Sequence, residues 1–119
     1  MIYNLTQHDV TEDQKAENII DVEDKEYVRN LLTFDDLPDD EIINNRAVLL
    51  AEYADKINAK EVMIGGALYL MPPLIKELRK KGIIPYYSFS KRISFDEHIN
   101  GSVIKRTCFR HVGLIEAKV

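Results

Sequence analysis

A second cysteine is what this sequence most plainly lacks. Cys108 stands alone, so no internal disulfide can close and no C-x-x-C redox or zinc motif exists. A reducing, cytoplasmic setting is the expectation. Long apolar runs are missing too: none approaches the roughly 18 to 20 residues that cross a bilayer. The opening "MIYNLTQHDVTEDQ" does not have the basic-then-apolar order of a secretory signal, and no membrane association is expected. An excess of positive charge is absent as well. The formal net charge of −4 argues against tracking along duplex nucleic acid by neutralising many phosphates. It leaves room for a compact anionic ligand at one site. Linkers, internal repeats and low-complexity stretches are also lacking, and 119 residues suit one domain spanning 1–119.

What is present has a clear order. "MIYNLTQ" reads as a strand whose end carries Asn4, Thr6 and Gln7. "EYVRNLLTF" spaces Val28, Leu31 and Leu32 as a short helix. Pro38 breaks the chain, and Asp39 and Asp40 suit the N-terminus of the next helix. From Glu41 to Asn58, Ile43, Ala47, Leu50, Ala51, Ala54 and Ile57 give one apolar face. "KEVMIGG" is an unalternated apolar run of the kind that forms a strand covered on both sides. A helix from about Met71 to Lys81 follows, with Pro72 or Pro73 in its first turn and Gly82 closing it. "IIPYYSFSKR" is another strand, and Asn100-Gly101 turns the chain into a last long one. The segment Asp9 to Glu26 has no assignable pattern and reads as a lid or a connector. The fold class expected is α/β: a small Rossmann-like three-layer sandwich, mostly parallel, with an antiparallel C-terminal edge.

In such sheets ligands sit beyond the carboxyl ends of the parallel strands. Three stretches qualify: Asn4 to His8, Gly65 to Ala67, and Ser88 to Arg92. Gly65 and Gly66 let a ligand or another backbone approach closely, and the helix beyond offers N–H groups to a phosphate. A tight turn is the plainer account, since "IGGALYLMPP" is neither G-x-G-x-x-G nor a P-loop. Ser88, Ser90, Lys91 and Arg92 can grip an anion, with Arg92 bidentate, or can simply run into water. On the last strand, alternation puts Lys105 with Thr107, Phe109 and His111, and Arg106 with Cys108 and Arg110. His8 lies past the first strand, His98 in a loop and His111 in the last strand. None has helical zinc spacing, so neither metal nor cofactor is expected. His8 and His111 suit proton transfer near neutral pH, or a surface and a core role. Serine nucleophile chemistry finds no support, since G-x-S-x-G is absent and nothing seats a base beside Ser88 or Ser90.

"NLTQHDVTEDQ", "LLTFDDLP", "MIGGALYLMPPL", "GIIPYYSFSKR" and "NGSVIKRTCFRHVG" together resemble a family of small uncharacterised phage and bacterial proteins. Its pattern is an N-L-T-x-H start, an M-I-G-G-A centre and an S-x-R…G-S-V…F-R-H end. The C-terminal half is also similar to the small CRISPR-associated Rossmann-like proteins implicated as ring nucleases, with Asn100 where those have Asp. That resemblance implies a homodimer that binds a cyclic oligoadenylate and opens it without metal, or only sequesters it. In the opening reaction, the ribose 2′-hydroxyl attacks its own phosphate. The site it implies joins His8 and Arg92 as catalytic groups with Asn4, Thr6, Gly65, Gly66, Ala67, Ser88, Ser90 and His111 as ligand contacts. A structural or interaction protein of unknown function remains the alternative of another class.

Overall fold

Three of the five strands are short because the chain turns as soon as their apolar run ends. The computed structural model describes residues 1–118. Its elements run β1 (Ile2–Leu5), α1 (Glu12–Ala16), β2 (Ile19–Asp21), α2 (Lys25–Leu32), α3 (Asp40–Lys56), β3 (Glu61–Ile64), α4 (Met71–Lys80), β4 (Ile84–Ile99) and β5 (Ser102–Glu116). They form one sheet in the order β2-β1-β3-β4-β5. β1 pairs in parallel with β2 and β3, β3 pairs in parallel with β4, and only β4–β5 is antiparallel. The α/β class and the antiparallel C-terminal edge therefore stand.

The helices start and stop where local chemistry dictates. Asp24 caps α2 and Asp39 caps α3 through their carboxylates. Arg46 of α3 donates to the Asn30, Leu31 and Thr33 carbonyls, so it satisfies the orphaned end of α2. Asn18 and Asn58, after α1 and α3, take positive φ, the left-handed exit that asparagine tolerates better than most residues. Right-handed crossovers then send α2, α3 and α4 to one side of the sheet and α1 to the other. On the first side Leu5, Val62 and Ile64 pack with Leu50, Leu74 and Leu78 in the main core. On the second, only Val10, Ile19 and Met63 form a small cluster.

Three expectations are corrected. The Asp9–Glu26 segment is not a plain connector, for it contains α1 and the edge strand β2. Ser88 to Arg92 is not a strand end, because β4 continues to Ile99 as one arm of a long hairpin with β5. His98 consequently lies within β4 and not in a loop. Asn100 and Gly101 both have positive φ, the geometry that matches a two-residue turn to the strand twist. Near its base the hairpin carries one irregularity: Phe89 pairs with Gly113 and Ser90 with His111, which leaves Val112 as the extra residue of a bulge.

Candidate functional site

The strand order reverses direction at β1, whose two neighbours are reached by crossovers on opposite sides of the sheet. A crevice opens there, where open α/β sheets usually hold ligands. Its volume is about 420 Å³, and its walls include Thr6, His8, Gln14, Gly65, Ser88 and His111. Pockets that accept small ligands run from about 300 to 1,000 Å³. The crevice lies on the sparsely covered side of the sheet, beside α1.

The loop after β1 is held from below. Asn4 is buried, and its Nδ2 donates to the His8 carbonyl at 2.6 Å and to Asp21 Oδ1 at 3.0 Å. Its Oδ1 accepts from the Thr6 N–H at 3.0 Å and the Thr6 hydroxyl at 2.7 Å. Burial pushes the Asp21 carboxyl up, but bonds from Asn4, Lys25 and the Val10 N–H outweigh it and hold it below the usual carboxylate range. Asp9, which the same loop carries, accepts from Lys25 and from Arg29, the latter at 2.7 Å. Bonds to Asp9 and then Asp21 raise the Lys25 ammonium. The two cations nearest the loop are thus already committed to carboxylates.

The opposite wall holds a chain of three polar side chains. Ser88 Oγ lies 2.7 Å from His111 Nδ1, and His111 Nε2 lies 3.0 Å from Glu17 Oε1. The His111 side chain is only 2% exposed, against 37% for Glu17. An ionised Glu17 accepts only, so Nε2 carries the ring proton and Nδ1 is left to accept from the Ser88 hydroxyl. Ser90 Oγ sits 3.5 Å from Ser88 Oγ. This arrangement overturns the expectation that nothing seats a base beside Ser88. The reason is the β4–β5 register, which pairs Ser90 with His111 across the hairpin and so brings together residues 23 apart in the chain.

The residues singled out in the sequence divide accordingly. Thr6, His8, Gly65, Gly66, Ser88, Ser90 and His111 line the crevice. Asn4 lies beneath it with its amide fully engaged, so it shapes the loop and presents nothing to a ligand. Ala67 packs against the main core, outside the crevice. Arg92 is exposed and lies beyond the crevice wall. It pairs in register with Phe109, which does line the crevice and is 76% exposed. Gly66 has φ 140°, a conformation that suits glycine. Gly65 has no such need: a Cβ there would meet the Thr6 methyl at 3.6 Å, an ordinary contact.

The helix-dipole cradle expected after the glycines is not formed. α4 begins at Met71, and Pro72 and Pro73 occupy its first turn, where they remove two of the N–H groups a phosphate would need. Sequence reading missed Glu17 and Gln14. A signal was there: Thr11 and Gln14 form a capping box at the start of α1, and the T-x-x-Q spacing marks such a start. Asn18, in the left-handed region, then ends the turn and leaves Glu17 beside β5.

Comparison with curated proteins finds no significant match, and comparison with solved structures finds none. A family model does match, across residues 1–115, and takes in the N-L-T start, the diglycine centre and the F-R-H strand. The chain belongs to the family described as "Uncharacterized protein MJ1673 family".

Proposed function

We propose that the chain binds a cyclic oligoadenylate at the switch-point crevice, in the cytoplasm, and opens one of its phosphodiesters without a metal. The observation that carries this reading is Phe109, an aromatic ring left largely in water at the rim of the crevice and directly across the strand pair from Arg92. Exposed aromatics beside a cation are how single-stranded nucleotides are held: the base stacks and the guanidinium takes a phosphate oxygen. Lys105 and Thr107 continue the same face of the hairpin, so a ligand larger than the crevice meets polar groups along it. Within the crevice the reacting phosphate lies among Thr6, His8, Ser88 and Ser90. The enzyme's task is to hold the ribose 2′-hydroxyl in line and to stabilise the charge that develops, with His8 as the proton-transfer group.

A homodimer belongs to this reading, since a ring-shaped ligand is matched by two crevices related by a two-fold axis. Sedimentation is expected to give a dimer for the native chain, and a monomer would count against this part of the reading.

The deciding experiment is incubation with cyclic oligoadenylates in EDTA, followed by chromatography. Linear products support cleavage. Retention without products leaves a binding protein that sequesters the ring, and no binding of any nucleotide leaves an interaction protein. Arg92→Ala is expected to weaken binding by about tenfold or more, the worth of one charge-assisted hydrogen bond.

A further inference from the structure

Among the described residues, His111 is the one buried titratable side chain on the crevice wall, and the ribose-hydroxyl route gives it no task. We propose that Glu17, His111 and Ser88 form a relay that makes Ser88 a nucleophile toward phosphodiesters lodged in the crevice. Three observations lead there. Both imidazole nitrogens are engaged at hydrogen-bond distance, one by a hydroxyl and one by a carboxylate. The imidazole is shut away from solvent while Ser88 lines the crevice, so the reactive end of the relay is the open one. Ser88 also follows Tyr87, which pairs with Ile64, and Ser88 and Gly65 line the same crevice. A nucleophile, a base oriented by a third group, and main-chain groups near the reacting atom are the parts that such chemistry needs.

The step balances without any co-reactant but water. Ser88 Oγ attacks phosphorus while its proton passes to His111 Nδ1, and the imidazolium formed is held by Glu17. The bond from phosphorus to the leaving oxygen breaks, and that oxygen takes the proton back from Nδ1. Water then attacks the same phosphorus, giving a proton to His111 Nδ1; the bond from phosphorus to Ser88 Oγ breaks, and Oγ takes that proton back as the hydroxyl is restored. The ribose 2′-hydroxyl takes no part, which separates this inference from the proposed function although it rests on the same crevice.

The first test needs no natural substrate. A fluorophosphonate is expected to phosphonylate Ser88, with loss of fluoride, and the adduct is located by peptide mass spectrometry. Ser88→Ala abolishes it, while Ser102→Ala at the start of β5 does not. His111→Gln is expected to slow labelling by about a hundredfold or more. Glu17→Gln, at a half-exposed position that spares the fold, slows it by about tenfold or more. A purely structural hydrogen-bond chain would shift the unfolding midpoint of these variants and leave Ser88 unlabelled throughout. No adduct on Ser88, or an unchanged rate in folded Glu17→Gln, overturns the proposal. A second arm uses cyclic oligoadenylate built from 2′-deoxyribose. Its opening supports Ser88, whereas opening of the ribose form alone overturns Ser88 in favour of the 2′-hydroxyl. Labelling with no opening of either ring keeps the relay and removes the cyclic-oligoadenylate reading.

Discussion

The two sides of the sheet are built by different rules. Under α2, α3 and α4 the strands contribute Leu5, Val62 and Ile64, and the helices answer with Leu50, Ala54, Leu74 and Leu78, all fully buried or nearly so. The other side has one five-residue helix over it. There the chain buries three polar side chains, Asn4, Gln14 and His111, and among the described residues no buried side-chain nitrogen or oxygen lacks a partner. The difference is one of coverage. Three helices supply enough apolar surface to exclude water, so packing alone serves. A single turn and a half does not, so the sheet meets water at a crevice and satisfies its polar groups one by one. Apolar packing is concentrated on one side and buried polar groups on the other.

That division can be broken most forcefully from the packed side. Leu74→Ala is expected to cost about 2–5 kcal/mol in urea unfolding, with fluorophosphonate labelling of the surviving folded fraction unchanged. Asn4→Ala should cost about 1–3 kcal/mol, because it strands the groups that its amide satisfies. Hydrogen exchange should then quicken in residues 6–9 and not in α4. Phe109→Ala, on the sparse side, should leave the unfolding midpoint where it is. It should weaken cyclic oligoadenylate binding, followed by calorimetry, by about 1–3 kcal/mol, the worth of one stacked base. A large stability loss from Phe109→Ala would refute the division.

The smallest effect concerns acid. The native Asp21 carboxyl is held below its ordinary value, despite burial, by Asn4, Lys25 and the Val10 N–H. A depressed carboxylate stabilises the fold fully above its unfolded pKa, near 4, and that contribution is lost as pH falls through the native value. Urea midpoints are therefore expected to fall as the pH drops below the ordinary carboxylate value of about 4, and Asp21→Asn should flatten that part of the profile. An equal slope in native and variant chains would show that Asp21 contributes nothing to it.

Legibility followed the same line. The packed side was readable because its signals are periodic: Ala47, Leu50, Ala51 and Ala54 recur on one face of α3, and Val62 to Ile64 form an unbroken apolar run. Its boundaries were readable from Pro38, Pro72 and Gly82, whose backbone limits are local. The sparse side was not readable this way. α1 has no apolar stripe, since its one buried residue is Gln14, and β2 is three residues long. The Ser88–His111 contact depends on the hairpin register, and Glu17 on where a five-residue helix happens to dock. Arg92 shows the limit from the other direction. Its residue type fits an anion site, but the continuation of β4 carries it past the crevice wall and next to Phe109.

The bulge at Val112 gives the molecule an adjustable joint. Removing that one residue would leave each neighbouring pair as it is, since Phe89 would still face Gly113 and Ser90 would still face His111. The strand would straighten, however, because an inserted residue is what bends and twists it. The angle at which the arm stands over the crevice is therefore set apart from the Ser90–His111 pairing. Deleting Val112 is therefore expected to change the width of the crevice mouth while His111 stays opposite Ser90.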